Sequence, residues 1–392
     1  MTHYKYLIIG GGLGGDAATR GIREVDADGS IGLLSAETDA PYMRPNLSKG
    51  LWKGRPVEKI WRKTEDRAEL LLGRKVTAFD AKKKSVTDDK GGEYTYDKLL
   101  IATGGTPIRL PFGGDDIIYF RSFQHYQRLR KLADEKNDFV VIGGGFIGSE
   151  IAAGLTMVGK KVTMIFLEDA IGAAMYPSDL AHFLNDYYRE KGVEVIANDS
   201  VADIQKEGDR LTVRTKNGRA IEADGIVAGI GVRPNVALAQ EAGLNVENGI
   251  IVNEKLETSI PDVYAAGDAA NFFHAGLGKR ARVEHEENAV AMGMLAGRNM
   301  AGASETYAHT PMFYSDLFDL GYEAVGEMSS KMETVSDWEE PFKKGVVYYL
   351  AEGRVRGVLL WNVWKKLDDA RALLTEKGPF KAEDLIGRIK GE

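Results

Sequence analysis

At 392 residues the chain is long enough for two to three domains of ordinary size, with ample material for a core. Lys and Arg total 51 against 58 Asp and Glu, a mildly acidic balance that disfavours broad nucleic-acid or anionic-membrane binding. No stretch approaches the roughly 18 uninterrupted apolar residues of a membrane span, and the absence of cysteine removes disulfides, thiolate nucleophiles and cysteine-held zinc or iron–sulfur clusters together.

Any redox work therefore needs a bound cofactor. The six histidines, His3, His125, His182, His274, His285 and His309, show no metal-binding spacing, and no metal is expected. A strand begins almost at once, at Tyr4, leaving no room for a leader, so a cytoplasmic location is expected.

Tyr6 to Ile9 reads as a buried strand, Gly10 to Gly15 as a loop, Asp16 to about Val25 as a helix and Ser30 to Leu34 as the next strand. The G-x-G-x-x-G at Gly10, Gly12 and Gly15 lets backbone amides and a helix N-terminus face a pyrophosphate. Glu37 follows by about the 20 residues expected of a ribose-binding carboxylate. A lone glycine cluster is often an ordinary turn; strand, loop, helix, strand and acid in sequence make a dinucleotide unit the better reading.

In Pro41 to Trp52 the prolines delay a short helix that should begin near Asn46. Here Arg44 can pair with a phosphate and Lys49 with a cofactor ring or with Glu150; the alternative is two solvated loop cations. Lys75 to Thr103 alternates apolar and polar residues about a Gly91-Gly92 turn, as in an antiparallel meander, and ends in Leu99-Leu100-Ile101-Ala102-Thr103-Gly104-Gly105. Arg121 leads into a helix whose Arg128, Arg130 and Lys131 read as a solvated face.

Phe139 to Ile142 opens a second strand-loop-helix unit with G-x-G-x-x-G at Gly143, Gly145 and Gly148. Glu150 would repel phosphate at the mouth of this loop, so its side chain should turn toward a cationic partner elsewhere. The strand Lys161 to Phe166 leads to Glu168, which can accept hydrogen bonds from both ribose hydroxyls and would repel a 2′-phosphate. No Lys or Arg lies between Leu167 and Ala181 to rescue that phosphate, which favours NADH over NADPH.

A strand-helix-strand pattern, Asp186 to Ile196, precedes an alternating hairpin from Val201 to Ala223. Ile226 to Asn235 then echoes the strand-to-glycine ending of Ala102-Thr103-Gly104. Val263 to Ala270 is an apolar strand closed by Gly267-Asp268, where the aspartate caps a helix or holds a ribityl hydroxyl. A helix from about Glu284 to Ala301 starts with acids at its positive end. Strands at 321–327, 345–351 and 354–360 and a helix at 366–374 suggest a separate α+β domain, in which Trp361 and Trp364 are core or interface residues.

These motifs together, with Arg282-Val283-Glu284-His285, Met312-Phe313-Tyr314-Ser315-Asp316 and Val358 to Asn362, resemble the FAD-dependent pyridine nucleotide-disulfide oxidoreductases. Within them the chain is most similar to the apoptosis-inducing factor and ferredoxin-reductase-like branch, without redox cysteines. The resemblance covers essentially the whole chain. It implies an α/β protein with two Rossmann-like dinucleotide-binding domains, an FAD domain (1–120 and 249–306) split by an inserted NADH domain (121–248), followed by a C-terminal α+β domain (307–392).

The implied FAD contacts are Gly10, Gly12, Gly15, Glu37, Arg44, Lys49, Arg121 and Asp268, with Leu13, Gly14, Val76, Thr103, Gly104 and Gly267 as further cofactor-binding residues. Those for NADH are Gly145, Ile147, Gly148, Glu168 and Gly231, with Gly143, Phe146 and Glu150 as further cofactor-binding residues. Glu284, His285, Glu286, Tyr314 and Trp361 complete the cofactor set, and Lys49, Glu150 and His285 are the implied catalytic residues. The sequence departs from the family's pattern at Asn46, where a second proline is frequent, and at Tyr314, where tryptophan is. Neither the mitochondrial leader of apoptosis-inducing factor nor the long polar insertion in its C-terminal domain is expected, Glu327 to Lys344 being read as a short connection, so a death-signalling role is not expected either.

The activity so implied is hydride transfer from NADH to FAD, then electron delivery to a quinone, an artificial acceptor or oxygen. One alternative is a ferredoxin or rubredoxin acceptor docked on Arg280, Arg282, Lys365 and Lys366. Another is an NADH-responsive homodimer acting through partner binding.

Overall fold

The computed structural model describes residues 1–391, which form two compact units. The first comprises residues 1–44, 56–106 and 233–311; the second comprises 45–55, 107–232 and the chain from 312 onward.

In the first unit, a continuous apolar run makes Thr2–Ile9 a central strand, since Leu7 and Ile8 are wholly buried and such a run suits a sheet covered on both faces. It pairs in parallel with Ile31–Ser35 on one side and Glu93–Ile101 on the other. Val263–Ala265 joins the far end of Glu93–Ile101, also in parallel. Ile9, Ile101 and Ala265 therefore share one register row, and the residues that follow them emerge at one sheet edge. The meander is present as Val76–Asp80, Ser85–Asp88 and Glu93–Ile101, paired antiparallel.

The helices Leu13–Val25 and Glu286–Met300 pack through glycines that the sequence reading left unassigned. A Cβ on Gly293 would lie 2.2 Å from the Gly14 carbonyl oxygen, and one on Gly297 would lie 2.2 Å from that of Ala18. Backbones approach this closely only where side chains are missing, so the i, i+4 glycines set the helix spacing.

The second unit repeats the plan with Val193–Ile196, Lys161–Ile165, Asp138–Ile142, Gly225–Ala228 and Ile117–Tyr119, in that order and parallel throughout. Ile142 is level with Ile165 and Ala228, which again brings the following residues to one edge. The expected hairpin after Val201 is a three-stranded antiparallel sheet, because Ala220–Ala223 adds to Val201–Glu207 and Arg210–Thr215. Where a strand-helix-strand pattern was read over Asp186 to Ile196, the structure has the helix Ser178–Glu190, with Pro177 as its N-cap, followed by the strand Val193–Ile196.

The C-terminal part holds a five-stranded antiparallel sheet among the described residues, in the order Met312–Leu317, Leu320–Gly326, Arg354–Trp361, Lys344–Ala351, Glu333–Glu340. Two strands were missed in the sequence. Met312–Leu317 carries no long apolar run, and Glu333–Glu340, read as connection, is an acidic edge strand with exposed ends of the kind that resists edge-to-edge pairing. The short helix expected near Asn46 is a single 3₁₀ turn, Arg44–Leu47. No helix among the described residues is long and apolar enough to cross a membrane.

Candidate functional site: two glycine loops and a buried ion pair

Both glycine loops leave the C-terminal edge of a parallel sheet, and their three glycines have three different environments. Gly10 has φ +128°, and a Cβ there would stand 2.1 Å from the Ala102 carbonyl oxygen. Gly15 could carry a Cβ only 2.1 Å from the Gly10 oxygen, whereas one on Gly12 would meet nothing within 4 Å. The second loop matches. Gly143 has φ +109° and would strike the Gly229 oxygen at 2.5 Å, Gly148 would strike the Gly143 oxygen at 1.9 Å, and Gly145 faces open space.

Two glycines in each loop therefore serve the protein's own turn and packing, and the middle one leaves room for a ligand backbone approach. Gly12 and Gly145 are helix N-caps without a side-chain cap, so the first amides of helices Leu13–Val25 and Phe146–Met157 are not capped by the side chain that usually occupies that position. That is a fit for the pyrophosphate of a dinucleotide. The sequence echo is explained by the same geometry, since Ala102 and Gly229 are the strand ends against which Gly10 and Gly143 close.

An acid stands at the start of each helix and would oppose an anion if left bare. Asp16 is fully buried and accepts hydrogen bonds from Arg62 Nε at 3.1 Å, Arg67 Nη2 at 2.8 Å and Thr64 Oγ1 at 2.7 Å, with Arg20 at 3.5 Å. Arg20 is one helical turn along, but Arg62, Thr64 and Arg67 were not identified from the sequence, because they lie some 50 residues away and their contacts are tertiary. Glu150, 2% exposed, is paired with Lys49, whose Nζ lies 2.8 Å from Oε1. Ser48 Oγ donates to Oε2 at 2.5 Å and Ser315 Oγ to Oε1 at 2.6 Å. The Glu150 side chain thus turns to a cation, and of the alternatives weighed for Lys49 the structure shows this ion pair.

Segment 45–55 lies inside the first nucleotide unit in sequence but packs within the second compact unit. Trp52 is the anchor. Its ring lies against Gly154, where a Cβ would meet Cγ at 2.8 Å, its edge faces Tyr126, and its indole N–H donates to the Leu47 carbonyl at 2.8 Å. The Lys49 ammonium lies 5.1 Å from the centroid of Tyr314.

In the first unit, Glu37 accepts from Arg44 Nη2 at 2.7 Å and from the Tyr42 hydroxyl at 2.6 Å. Burial would lower the Arg44 pKa, but Tyr42, Glu37 and Asp268 more than offset it, and the guanidinium is held above its ordinary value. Glu37, Arg44 and Asp268 are thereby brought into one electrostatic group. Gly267 has φ +70° in the 3₁₀ turn Gly267–Ala269, which follows the strand end at Ala265. Thr103 and Gly104 are clasped by Asn235. Its Nδ2 donates to the Thr103 carbonyl at 2.8 Å, its N–H donates to that of Gly104 at 2.9 Å, and its carbonyl accepts from Thr103 Oγ1 at 2.7 Å.

His285 is the N-cap residue of helix Glu286–Met300, whose first residue is Glu286; exposed Glu284 binds Arg282 Nη1 at 2.5 Å. Leu13 and Gly14 lie in the first turn of the first helix, and Val76 opens its strand. Arg121, Tyr314 and Trp361 fall in the second unit. The Arg121 and Ser122 amides donate to His125 Nδ1, so this histidine serves a helix cap. Phe146 is partly exposed and meets Phe313 edge-on at 5.7 Å, and Ile147 adjoins Gly229. Gly231 has φ +103°. Glu168 is exposed, its carbonyl accepting from the Asn198 amide at 2.9 Å. Trp361 is wholly buried, stacked on Tyr322 at 5.6 Å with its N–H donated to the Phe342 carbonyl, which is the core reading of this residue.

Residues 4–293 match the family described as pyridine nucleotide-disulphide oxidoreductase, and residues 296–341 and 336–376 match the C-terminal region described for mitochondrion-associated apoptosis-inducing factor. A Sphingobium protein, the 5,5'-dehydrodivanillate O-demethylase ferredoxin reductase subunit, is 34% identical over 390 residues, covering 96% of this chain and 94% of its own. A Drosophila melanogaster relative named for apoptosis-inducing factor 1, mitochondrial, is 32% identical over 483 residues and covers 99% of this chain, which spans 65% of that protein's length. The solved structure of a covalent putidaredoxin reductase–putidaredoxin complex superposes with a TM-score of 0.90 at 28% identity, covering 98% of this chain and 95% of the other.

Proposed function

This chain belongs to the pyridine nucleotide-disulphide oxidoreductase family, in its apoptosis-inducing factor and ferredoxin-reductase branch, and is an FAD-dependent NAD(P)H oxidoreductase; from that premise we propose that it oxidises NADH and passes the electrons to an external acceptor. The observation that carries this reading is the same closed, open, closed glycine geometry occurring once in each unit. FAD, when bound, supplies the capacity to take two electrons from the nicotinamide and release them onward. We assign it to Gly10, Gly12, Gly15, Glu37, Arg44, Gly267 and Asp268, and the nicotinamide dinucleotide to Gly143, Gly145, Gly148 and Glu168. The domain scheme 1–120 with 249–306, 121–248 and 307–392 is part of the same proposal.

Purified protein is expected to be yellow, with one FAD per chain. Colourless protein that cannot be reconstituted with FAD overturns the reading. Turnover with NADH against a quinone, oxygen and a ferredoxin then ranks the acceptors.

A ferredoxin-type acceptor is the second reading, supported by the ferredoxin reductase named among the relatives. Its proposed docking patch is Arg280, Arg282, Lys365 and Lys366, of which the two arginines also have local partners. Arg280 donates to the Val252 and Asn271 carbonyls and Arg282 to Asn248, to Glu284 and to the Asp268 carbonyl, so both are engaged locally. A role through partner binding by a homodimer predicts an NADH-dependent change of oligomeric state, measurable by light scattering.

Nucleotide choice rests on Glu168, whose exposed carboxylate suits two ribose hydroxyls and repels a 2′-phosphate. Glu168→Ser is expected to reduce the NADH over NADPH preference in kcat/KM roughly tenfold, about 1.4 kcal/mol. A parent enzyme that prefers NADPH overturns the assignment.

A further inference from the structure

Glu150 receives more than its ion pair. Ser48, Glu150 and Ser315 come from the 45–55 segment, the helix Phe146–Met157 and the edge strand Met312–Leu317, and all three are buried. Each carboxylate oxygen accepts a serine hydroxyl, at 2.5 Å for Ser48 and 2.6 Å for Ser315, lengths typical of charge-assisted bonds. Ser315 is itself fixed by the sheet, being paired across the strands with Tyr322. Its neighbour Tyr314 lies beneath the Lys49 ammonium. Consecutive residues of one edge strand therefore engage the two members of the pair.

The phenols of Tyr176, Tyr188 and Tyr322 also feel the charge of Glu150. Burial, with the Glu150 charge adding to it, pushes all three well above the ordinary tyrosine range, so they stay neutral and Lys49 is the facing cation. A salt bridge to Lys49 alone would fix one carboxylate oxygen and leave the group able to rotate about its last torsion. Two hydroxyls on the two oxygens remove that freedom.

We propose that Ser48 and Ser315 are positioning residues that hold the Glu150 carboxylate in one orientation and, through it, the Lys49 ammonium in one place. The assignment rests on the functional reading for its purpose, but the clamp itself is a property of the chain. A family member could keep the lysine and the glutamate and still lose the geometry if both hydroxyls were absent.

The test uses ¹⁵N-labelled protein as purified, in the parent, Ser48→Ala, Ser315→Ala and double-variant forms. The ammonium correlation of Lys49, assigned by its loss in Lys49→Arg, is expected to be sharp in the parent, broadened in each single variant and lost in the double variant. In parallel, kcat for NADH-driven flavin reduction should fall roughly tenfold in the double variant with KM for NADH within about twofold, since misplacement rather than binding is affected. In a Lys49→Ala background the serine substitutions should change neither, because they act through the lysine. An ammonium signal that survives both serine substitutions overturns the clamp, as does an equal loss of kcat with and without Lys49. Protein that binds no FAD overturns the functional reading instead, and the ammonium signal still decides the clamp.

Discussion

On the resemblance that makes Lys49 a catalytic cofactor contact, Lys49→Ala is expected to slow flavin reduction by NADH on the order of 10²-fold, the effect of removing one preorganised charge. The same change strands the Glu150 carboxylate, which is 2% exposed and keeps only two neutral hydroxyl partners. Breaking a buried pair from one side costs about 3–5 kcal/mol, so the variant should also melt earlier. Removing both charges relieves that penalty. The Lys49→Ala/Glu150→Ala protein should therefore be less destabilised than the sum of the single variants by about 1–3 kcal/mol. Rapid-mixing measurements of flavin reduction and thermal melting of all four proteins provide the check. If the effects are small and strictly additive, the Lys49–Glu150 pair contributes no more than a surface pair does, about 0–1 kcal/mol.

The second large effect separates glycines that serve the fold from glycines that serve a ligand. Gly148→Ala would place a methyl group 1.9 Å from the Gly143 carbonyl oxygen, a backbone atom that cannot turn aside. It should destabilise the protein by about 3 kcal/mol or more, since the helix must move off the strand. Gly145→Ala meets nothing within 4 Å, so the expected cost is only that of alanine in place of glycine at a helix N-cap, about 1 kcal/mol or less. Its KM for NADH should nevertheless rise at least roughly tenfold, because the added methyl occupies the approach of the pyrophosphate. The pair Gly15→Ala and Gly12→Ala should divide in the same way for FAD content. Equal loss of stability at Gly145 and Gly148, or an unchanged KM for NADH in Gly145→Ala, would remove the basis for assigning the dinucleotide to this loop.

The two glycine loops and the strands that feed them were legible in the sequence because their determinants are local. A four-residue apolar run, three glycines at fixed spacing and an acid about 20 residues on are dictated by backbone conformation and sheet burial within one strand-helix-strand unit. The same holds for the meander about Gly91-Gly92 and for the strand-to-glycine endings at Ala102 and Gly229. The anomaly of Glu150 was also legible, since a carboxylate at the mouth of an anion-binding loop requires a partner whatever the fold.

Which groups answer that requirement was decided by tertiary structure. Ser48 and Ser315 are 102 and 165 residues from Glu150, and nothing in their own neighbourhoods marks a serine as a carboxylate partner. The arginines around Asp16 and the Asn235 clasp on Thr103 and Gly104 are hidden for the same reason. The packing of segment 45–55 within the second unit depends on Trp52 finding the gap left by Gly154, a complementarity of shape between residues about 100 positions apart. Periodicity and local motifs report what a residue does to its own backbone. The burial of a charge is settled by whatever the folded chain brings beside it, because in a low-dielectric interior the partner, rather than the residue, determines whether the charge can be kept.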